Sequence, residues 1–424
     1  MEAGFAGLRR PGAAQPGQIA QPGTRGREVK HLAMAIEAVN TRRIRGARET
    51  EASGLGLLRR LDWVLLGAMV GVVAFGLWAI SGITRHDPGG SSLTHQAVYA
   101  FAGGVVFLVV LLIDPDWYRR LRRPIYIVTI GVMLLVLAAG AASHGSKRWI
   151  SAGGFTVQPS EFGKVLFILV IAGVLADRAR SIGDVSTPLR AIGFGLVPIL
   201  LVFVQPDIGT ALVYTAGLVA VLFVAGVRWT HLAILAGVAV AGALLILWLL
   251  PASGVNVLKP YQTARLTGFT HPSSDPRGAT YNLRQSITAV GAGGLRGRGI
   301  LGATQTRLSY LPEHATDFAF ASLAEQRGFF GVSILLLLYL LVVWRALKIV
   351  AGARDLYCAV VAGGIAFMFL FQVFVNSAMT MGIAPITGIP LPFVSVGGSS
   401  MIANLAAMGV LLSIHARGTP FRRR

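Results

Sequence analysis

One carboxylate and a group of cations stand out in a polar stretch of this chain, residues 251–327. The stretch runs into residues 311–328 (LPEHATDFAFASLAEQRG), where Asp317 is a candidate general acid or base. A long connection without low-complexity character is where functional residues usually lie. Its arginines and lysine suit phosphate oxygens; they are Lys259, Arg265, Arg277, Arg284, Arg296, Arg298 and Arg307. The stretch predicts a site for an anionic head group, with Asp317 as its acid/base residue.

A second group of candidates lies in a shorter connection upstream. Lys147 and Arg148 are adjacent cations that suit phosphate oxygens. Trp149 follows them, and two interpretations of it are open: an aromatic residue of the membrane interface, or a wall that stacks on a sugar ring. The neighbouring cations favour the second interpretation.

Two similar motifs, residues 158–161 (QPSE) and 205–208 (QPDI), place an acidic residue one or two positions after a Gln-Pro pair. Proline suits the first turn of a helix and an acidic residue there complements the helix dipole, so both acids are explained as caps. For Asp207 that interpretation is favoured. For Glu161 it is balanced by Lys164, three residues later on the same helix face, because a plain cap does not need a cation. Glu161 and Lys164 therefore join the candidates.

Two glycine-rich or proline-rich segments have less specific patterns. Residues 291–299 (GAGGLRGRG) lack the Gly-Lys-Ser/Thr ending of a P-loop. They fit equally well a backbone concavity that binds anions and a flexible hinge. Residues 384–400 predict tightly turned or re-entrant backbone, which is allowed at membrane depth only where protein covers it. For them we expect a packing role.

The sequence contains no metal-binding motif. His314 lies near Glu313 and Asp317, but the spacing matches no zinc signature. A divalent cation, Mg²⁺ or Mn²⁺, that bridges phosphates and a carboxylate stays open as a cofactor. Cys358 is the single cysteine, so neither a disulfide within the chain nor a cysteine–zinc site is expected.

The elements that position these residues are predicted to be membrane helices. The composition, 54% hydrophobic and 13% charged, is not that of a soluble protein. Apolar runs of about 18 residues, about ten of them, must be helical because backbone groups in hydrocarbon are satisfied within the segment. The fourth run is short, and we expect the eighth to begin earlier, near Asp317. The runs lie near 63–83, 95–113, 125–142, 162–176, 189–205, 208–226, 231–251, 329–346, 357–383 and 400–415.

The fold class is therefore an all-α polytopic membrane protein with about ten transmembrane helices and one large extracytoplasmic loop, residues 251–327. Residues 56–416 form the transmembrane domain. Residues 1–55, rich in Gly, Pro, Gln and Arg, predict a disordered basic cytoplasmic arm. Residues 417–424 form a basic cytoplasmic tail. The first apolar run has full spanning length, so no cleavable signal peptide is expected.

The net charge of +20 is a topology signal rather than a sign of nucleic-acid binding. Most arginines precede the first apolar run, fill even-numbered connections or follow the last run, so both termini are predicted to be cytoplasmic. Anionic membrane lipids reinforce this arrangement. Lys147, Arg148, Lys164 and the loop arginines oppose the bias on the extracytoplasmic side. A pyrophosphate-linked lipid is the ligand class that would use their charge.

The chain resembles the SEDS family (shape, elongation, division and sporulation), the group of RodA, FtsW and SpoVE. Residues 302–305 (GATQ) and 388–393 (GIPLPF) are most similar to the elongation branch, that of RodA. Ala315 stands where the family has His, so no catalytic role is assigned to a histidine; Val396 replaces a usual Tyr. The matching blocks follow the family's order over most of residues 60–415 and are residues 145–150, 158–161, 205–210, 281–286, 293–299 and 311–318, Glu325, Gly328 and residues 388–400.

The resemblance implies a peptidoglycan glycosyltransferase of the bacterial inner membrane. Such an enzyme polymerises lipid II and releases undecaprenyl diphosphate during cell elongation, in a complex with a class B penicillin-binding protein (a transpeptidase). Asp317 would take the proton of the acceptor hydroxyl, and cations would stabilise the departing diphosphate. Candidate substrate-binding residues are Lys147, Arg148, Trp149, Glu161, Lys164, Arg284, Gln285, Ser286 and Glu313.

Two other functions stay open. A lipid II flippase or transporter is expected to carry polar residues deep in its spans and internal repeats, and this sequence has few of the former and no clear repeat. A non-enzymatic scaffold of a cell-wall synthase would not need Asp317. The concentration of polar groups on one side favours extracytoplasmic chemistry.

Overall fold

The described part of the chain begins with four helices, three of which carry predicted apolar runs. The computed structural model describes residues 59–85, 91–139, 141–143, 146–152, 155–255, 258, 260–269 and 280–418. The predicted cytoplasmic arm and most of the basic tail lie outside these ranges. Asp62 caps the first helix by accepting a hydrogen bond from Leu65 N at 3.0 Å. The first four helices are α1 Trp63–Ile83, α2 Ser91–Leu112, α3 Pro115–Arg120 and α4 Arg122–Ala139.

A small antiparallel sheet, which the sequence analysis did not predict, follows α4. Its strands are β1 Ala141–Ser143, β2 Ser146–Ala152 and β3 Phe155–Val157, in the order β1-β2-β3. Ala141 pairs with Trp149, and Ile150 pairs with Val157. The connection satisfies its backbone groups by pairing with itself, and β2 carries the predicted cations.

The middle of the chain adds four long helices. They are α5 Pro159–Ala176, α6 Ser186–Val204, α7 Ile208–Val224 and α8 Trp229–Leu244. A 3₁₀ turn, Ala179–Ser181, lies between α5 and α6. A π-helical turn, Leu245–Leu249, and a last turn, Leu250–Ala252, extend α8.

The described residues of the large predicted loop, 251–255, 258, 260–269 and 280–327, contain helices. The loop contains α9 Pro260–Thr267, α10 Tyr281–Gly293, α11 Gly299–Gly302 and α12 Thr304–Arg307. Leu283 and Ala289 on α10 pack in a buried apolar cluster with Leu311, Phe318 and Ile386. This cluster joins the folded connection to the segment that carries Asp317.

The eighth apolar run begins early, as expected, but it contains a break. Helix α13, Ala319–Ala351, includes Gly328 with φ 64° and ψ −164°, so a short half-helix precedes the long apolar part. Two further helices complete the described chain, α14 Leu356–Thr380 and α15 Gly398–Arg417.

All ten predicted apolar runs overlap helices, and the run near 125–142 ends in β1. Within the described residues, eight helices are long and apolar enough to span, and Ile208–Val224 is a shorter apolar helix. In the most apolar 18-residue window of Gly398–Arg417, 83% of the residues are buried, so this helix lies in the core. In that of Trp229–Ala252 the share is 6%, so this helix lies at the periphery. The packing of α15 is most extensive against α2, and that of α14 against α13 and α7. The structure is a polytopic helical membrane protein; a count of ten spans stays a prediction.

Candidate functional site

Asp317 lies on a turn that is tied to the connection after α14. Three consecutive carbonyl oxygens, those of residues 315–317, each accept a hydrogen bond. The donors are Val396 N at 2.9 Å, Ser395 Oγ at 2.5 Å and Asn376 Nδ2 at 3.0 Å. As predicted, residues 384–400 form turned, largely buried backbone. Beyond packing, they hold the backbone of the candidate base.

The surroundings of Asp317 give its carboxyl group an unusual affinity for protons. Burial and the nearby Glu313 carboxylate raise the pKa of Asp317 to about 6, with a smaller contribution from Asp207. The guanidinium groups of Arg265 and Arg148 act in the opposite direction and limit the rise. A carboxylate whose pKa lies close to neutral can accept a proton more effectively than an ordinary aspartate and still be ionised.

Gly388 separates the Asp317 carboxylate from the Arg265 guanidinium. A Cβ atom at residue 388 would lie 3.3 Å from Asp317 Oδ2 and 3.9 Å from Arg265 Nη1, and φ of Gly388 is +70°. Only glycine adopts this backbone conformation without strain while leaving the space between the two groups open. Arg265 O accepts a hydrogen bond from Ile386 N at 3.3 Å, which fixes α9 beside this segment.

Arg148 is the second cation of the site and is supplied by β2. Its Nη1 lies 3.4 Å from Asp207 Oδ2, and its buried Nε has no hydrogen-bond partner. Asp207 also accepts hydrogen bonds from Gln158 Nε2 at 2.8 Å and from Thr210 N at 3.0 Å. A guanidinium with an unused N–H group beside a candidate base is suited to hold an oxyanion.

The residues next to Arg148 on β2 are Lys147 and Trp149. Trp149 is half-buried, and its neighbour Lys147 pairs through its backbone with Ala142. The side chain of Lys147 lies outside the described part of the structure, as do Lys259 and Arg277. The predicted roles of Lys147 and Trp149 in binding stay predictions.

Glu161 and Lys164 form a buried pair inside the helix bundle. Lys164 Nζ lies 2.7 Å from Glu161 Oε2 and 2.8 Å from Gln372 Oε1, and the Lys164 side chain is 1% exposed. The ammonium group therefore has two partners and joins α5 to α14. These contacts support a structural role, and a direct contact of either residue with a diphosphate stays a prediction.

The three candidates on α10 differ in their exposure. Ser286 is fully buried, and its Oγ donates a hydrogen bond to Thr380 O at 2.7 Å, which joins α10 to α14. Gln285 is half-buried and Arg284 is exposed. Of the three, Arg284 and Gln285 remain accessible for the predicted contact with a substrate, and Ser286 serves the packing of the helix.

The two glutamates near Asp317 have different environments. Glu313 is exposed, and its Oε2 accepts a hydrogen bond from Thr316 Oγ1 at 2.6 Å. Glu325 is fully buried and accepts hydrogen bonds from Gln305 N at 2.8 Å, Thr306 N at 2.9 Å and Thr306 Oγ1 at 2.7 Å. Glu325 therefore anchors α12, and Glu313 tunes the protonation of Asp317.

The glycine-rich segment 291–299 packs closely against the break in α13. A Cβ atom at Gly293 would collide with Ala324 O, and one at Gly297 would collide with Gln326 O. Phe329 N donates to Gly294 O at 2.9 Å. The glycines thus permit backbone-to-backbone contact, which neither of the two sequence interpretations, an anion concavity or a hinge, anticipated.

The described residues contain no group of three or more His, Cys, Asp or Glu side chains that could hold a metal ion. His314 Nδ1 lies 3.2 Å from Leu311 O. The divalent cation that the sequence leaves open has no assigned ligands in this part of the chain, and no chemical step is derived through it.

Sequence reasoning did not single out three residues that the structure places at the site. Arg265 was one of seven loop cations with nothing to distinguish it. Asp207 was interpreted as a plain cap, yet it caps α7 and also pairs with Arg148. Asn376 is an amide inside an apolar run of α14, a position that is costly unless the side chain is used, and that signal would have identified it.

Comparisons with known proteins identify the relatives of this chain. A family model for FtsW, RodA and SpoVE, described as cell cycle protein, matches residues 58–419. The chain is similar to the peptidoglycan glycosyltransferase MrdB of Escherichia coli (strain K12), with 38% identity over 358 residues, covering 83% of this chain and 92% of the relative. It is 36% identical over 322 residues to stage V sporulation protein E of Bacillus subtilis (strain 168), covering 75% and 85%.

Two solved structures have the same fold. One, described as the structural coordination of polymerization and crosslinking by a peptidoglycan synthase complex, has a TM-score of 0.71 and 30% identity, covering 84% of this chain and 97% of the other. The crystal structure of the rod shape determining protein RodA of Thermus thermophilus has a TM-score of 0.62 and 29% identity, covering 84% and 96%.

Proposed function

The chain belongs to the FtsW, RodA and SpoVE family of cell cycle proteins, and we propose from its relatives and its site how it acts. It is a peptidoglycan glycosyltransferase, the activity that the names of relatives such as MrdB carry and that the sequence predicted. Polymerisation of lipid II into glycan strands, release of undecaprenyl diphosphate and a role in cell elongation complete the proposal.

The observation that carries the mechanism is that Asp317 lies near the guanidinium groups of both Arg265 and Arg148. An acceptor sugar hydroxyl attacks the anomeric carbon of the donor while the bond to the diphosphate oxygen breaks. Asp317 accepts the hydroxyl proton, which suits a carboxylate whose pKa is raised to about 6. Arg148, with its unused Nε–H, and Arg265 stabilise the negative charge on the departing diphosphate.

The remaining candidates divide into accessible and supporting residues. Lys147, Trp149, Arg284, Gln285 and Glu313 are proposed to border the bound substrates. Buried contacts support a different role for the others, which hold the helices that carry the site; they are Glu161, Lys164, Ser286 and Glu325.

Topology and partner are part of the same proposal. Both termini are placed in the cytoplasm and the site on the extracytoplasmic side of the inner membrane, because the arginine-rich connections lie opposite to Asp317. A class B penicillin-binding protein is the proposed partner, since a solved structure of the same fold comes from a synthase complex that couples polymerization and crosslinking. Full activity of chain purified from native membranes without any such protein would count against this partner.

The test is polymerisation of labelled lipid II by the purified full chain, with and without the partner. Asp317→Asn keeps the size of the side chain but cannot accept the proton, so the rate should fall by about 10²- to 10⁴-fold. Asp184→Asn, an exposed residue near the 3₁₀ turn, is the matched control and should leave the rate unchanged. A folded Asp317→Asn protein that keeps more than about a tenth of the rate would sink the general-base role, and would favour the flippase or scaffold functions.

A further inference from the structure

Arg327 lies at the break of α13 and stacks on an aromatic ring of α1. Its Cζ is 4.0 Å from the centroid of the Trp78 ring. The contact is fixed by the neighbouring residue, because Gln326 Nε2 donates a hydrogen bond to Gly82 O at 3.2 Å. Trp78 precedes the end of α1 at Ile83 by about 7 Å along the helix axis. That depth is where tryptophan is enriched at the membrane–water interface.

The Arg327 guanidinium has a positive charge and no acidic partner in the described part of the chain. The ion pairs recorded there join other cations to carboxylates. Stacking occupies one face of the guanidinium plane and leaves its N–H edge for another acceptor. The backbone of Arg327 also touches Gly297, whose neighbours Arg296 and Arg298 are exposed. Positive charge is therefore concentrated at this point of the surface.

The residues beside this charge are apolar and face outward. Leu295 is 66% exposed, Phe329 61% and Phe330 58%, and the Trp78 ring itself is 46% exposed. In a membrane-spanning bundle such faces contact acyl chains. An arginine among them is costly unless it reaches an anionic group at the interface. A single phospholipid fits both parts of this surface, because its phosphate can bind the guanidinium while its acyl chains cover the apolar side chains.

We infer that Arg327 and Trp78 form a binding site for one anionic phospholipid of the surrounding bilayer, in the leaflet on the Asp317 side. The phosphate accepts hydrogen bonds from the guanidinium edge, and the acyl chains lie along Phe329 and Phe330. The flanking apolar residues favour a lipid over a protein carboxylate as the occupant. The inference does not depend on the proposed glycosyl transfer, since neither residue touches the site around Asp317.

The test measures which lipid contacts Trp78. The full chain is reconstituted in phosphatidylcholine nanodiscs. Increasing fractions of a brominated lipid are added, either brominated phosphatidylglycerol or brominated phosphatidylcholine, because brominated acyl chains quench indole fluorescence on contact. The Trp78 signal is the difference between wild type and Trp78→Phe. One arginine near the interface favours an anionic lipid by about fivefold. The same quenching of Trp78 should therefore need about one fifth as much brominated phosphatidylglycerol as brominated phosphatidylcholine.

Variants separate charge from stacking. Arg327→Gln, with Trp78 retained, should abolish the preference, and Arg327→Lys, which keeps the charge but not the planar fork, should keep part of it. Trp248, an exposed tryptophan with no recorded cation over its ring among the described residues, is the matched control and should show no preference.

Three results would overturn the inference. Equal quenching by the two brominated lipids would show that the site does not select anionic lipid. Loss of the phosphatidylglycerol preference on adding a small amount of undecaprenyl diphosphate would assign the surface to that lipid instead. A preference that persists in folded Arg327→Gln would remove Arg327 from the site.

Discussion

At the scale of single residues, the site depends on the protonation of Asp317, which its neighbours influence in opposite directions. Burial and Glu313 favour the protonated form, whereas Arg265 and Arg148 favour the carboxylate. The result is a group that titrates near the lower end of the physiological range. Both the stability of the protein and its rate should therefore depend on pH through this one side chain.

The stability prediction concerns Asp317→Asn. Because the folded-state pKa of about 6 lies above the ordinary value of 3.8, the folded protein binds the proton more tightly than the unfolded chain. This group's contribution to the free energy of unfolding is greatest below about pH 4 and falls as the pH rises through about 6. The loss is at most about 3 kcal/mol, and less for a half-buried group.

Asp317→Asn removes this titration. Thermal unfolding in detergent between pH 4 and neutral pH should therefore give a flatter profile, with a midpoint at neutral pH equal to or above that of wild type. A variant that is clearly less stable than wild type at neutral pH would mean that the ionised carboxylate is needed to hold the fold.

The rate prediction uses the two neighbours of opposite charge. A general base is active when ionised, so kcat/KM should rise with pH through the pKa of Asp317. Glu313→Gln removes a like charge and should move the rising part of the pH–rate profile, its acid limb, to lower pH. Arg265→Gln removes an opposite charge and should move the same limb to higher pH. Asp184→Asn should not move it. Shifts of the same sign in both variants would disprove the assignment of the limb to Asp317.

At the scale of secondary structure, the break in α13 and the end of α10 form one unit. Gly293 and Gly297 meet the backbone just before Gly328, and Phe329 N, just after it, donates a hydrogen bond to Gly294 O. Glu325 accepts hydrogen bonds from α12 just before the break. This packing sets the direction in which the half-helix after Asp317 leaves the site. A side chain at the contact would separate the two backbones.

Two glycines of α10 provide a matched test. Gly293→Ala places a methyl group against Ala324 O, whereas Gly291→Ala meets nothing within 4 Å. Gly293→Ala should lower stability by more than about 3 kcal/mol, and Gly291→Ala should be neutral or slightly stabilising because alanine favours helix. Thermal unfolding of the two purified variants decides this. Equal thermal unfolding midpoints for the two variants would show that the end of α10 and the break in α13 can move apart without cost.

The ten helices at the predicted positions follow from local composition, because an apolar run in a membrane has no alternative to helix. Residue type and charge also made Asp317 and Arg148 candidates, and their roles stay predictions. The proximity of Arg265 to Asp317, the sheet that carries Arg148 and the break at Gly328 were not predictable. Each depends on contacts between segments far apart in the chain, which no local pattern encodes.

At the scale of the whole molecule, polar groups are distributed unequally between the two ends of the bundle. The end opposite Asp317 is held by ion pairs, such as Arg345 Nη2 with Asp62 Oδ2 at 2.6 Å and Arg354 Nη2 with Asp116 Oδ1 at 2.7 Å. At the Asp317 end, Arg148 pairs with Asp207 and keeps an unused Nε–H group, and Arg265 lies close to Asp317.

Cysteine labelling tests that topology directly. Ser309 and Ser186 are exposed at opposite ends of the bundle, and the native Cys358 is buried and should not react. In spheroplasts, a membrane-impermeant thiol reagent should label Ser309→Cys but should label Ser186→Cys only after permeabilisation. The reverse pattern would place the termini outside the cell and the Asp317 site in the cytoplasm.

The hydrogen bonds to residues 315–317 also have a consequence for biosynthesis. Their donors come from positions 376, 395 and 396, which leave the ribosome well after Asp317. Residue 376 lies on α14, and residues 395 and 396 lie in the last connection before the final helix. A nascent chain that has already inserted Asp317 therefore lacks the donors that hold the backbone of this residue in place. The enzyme gains its geometry only when synthesis is nearly complete, so no partial chain in the membrane should be able to extend a glycan.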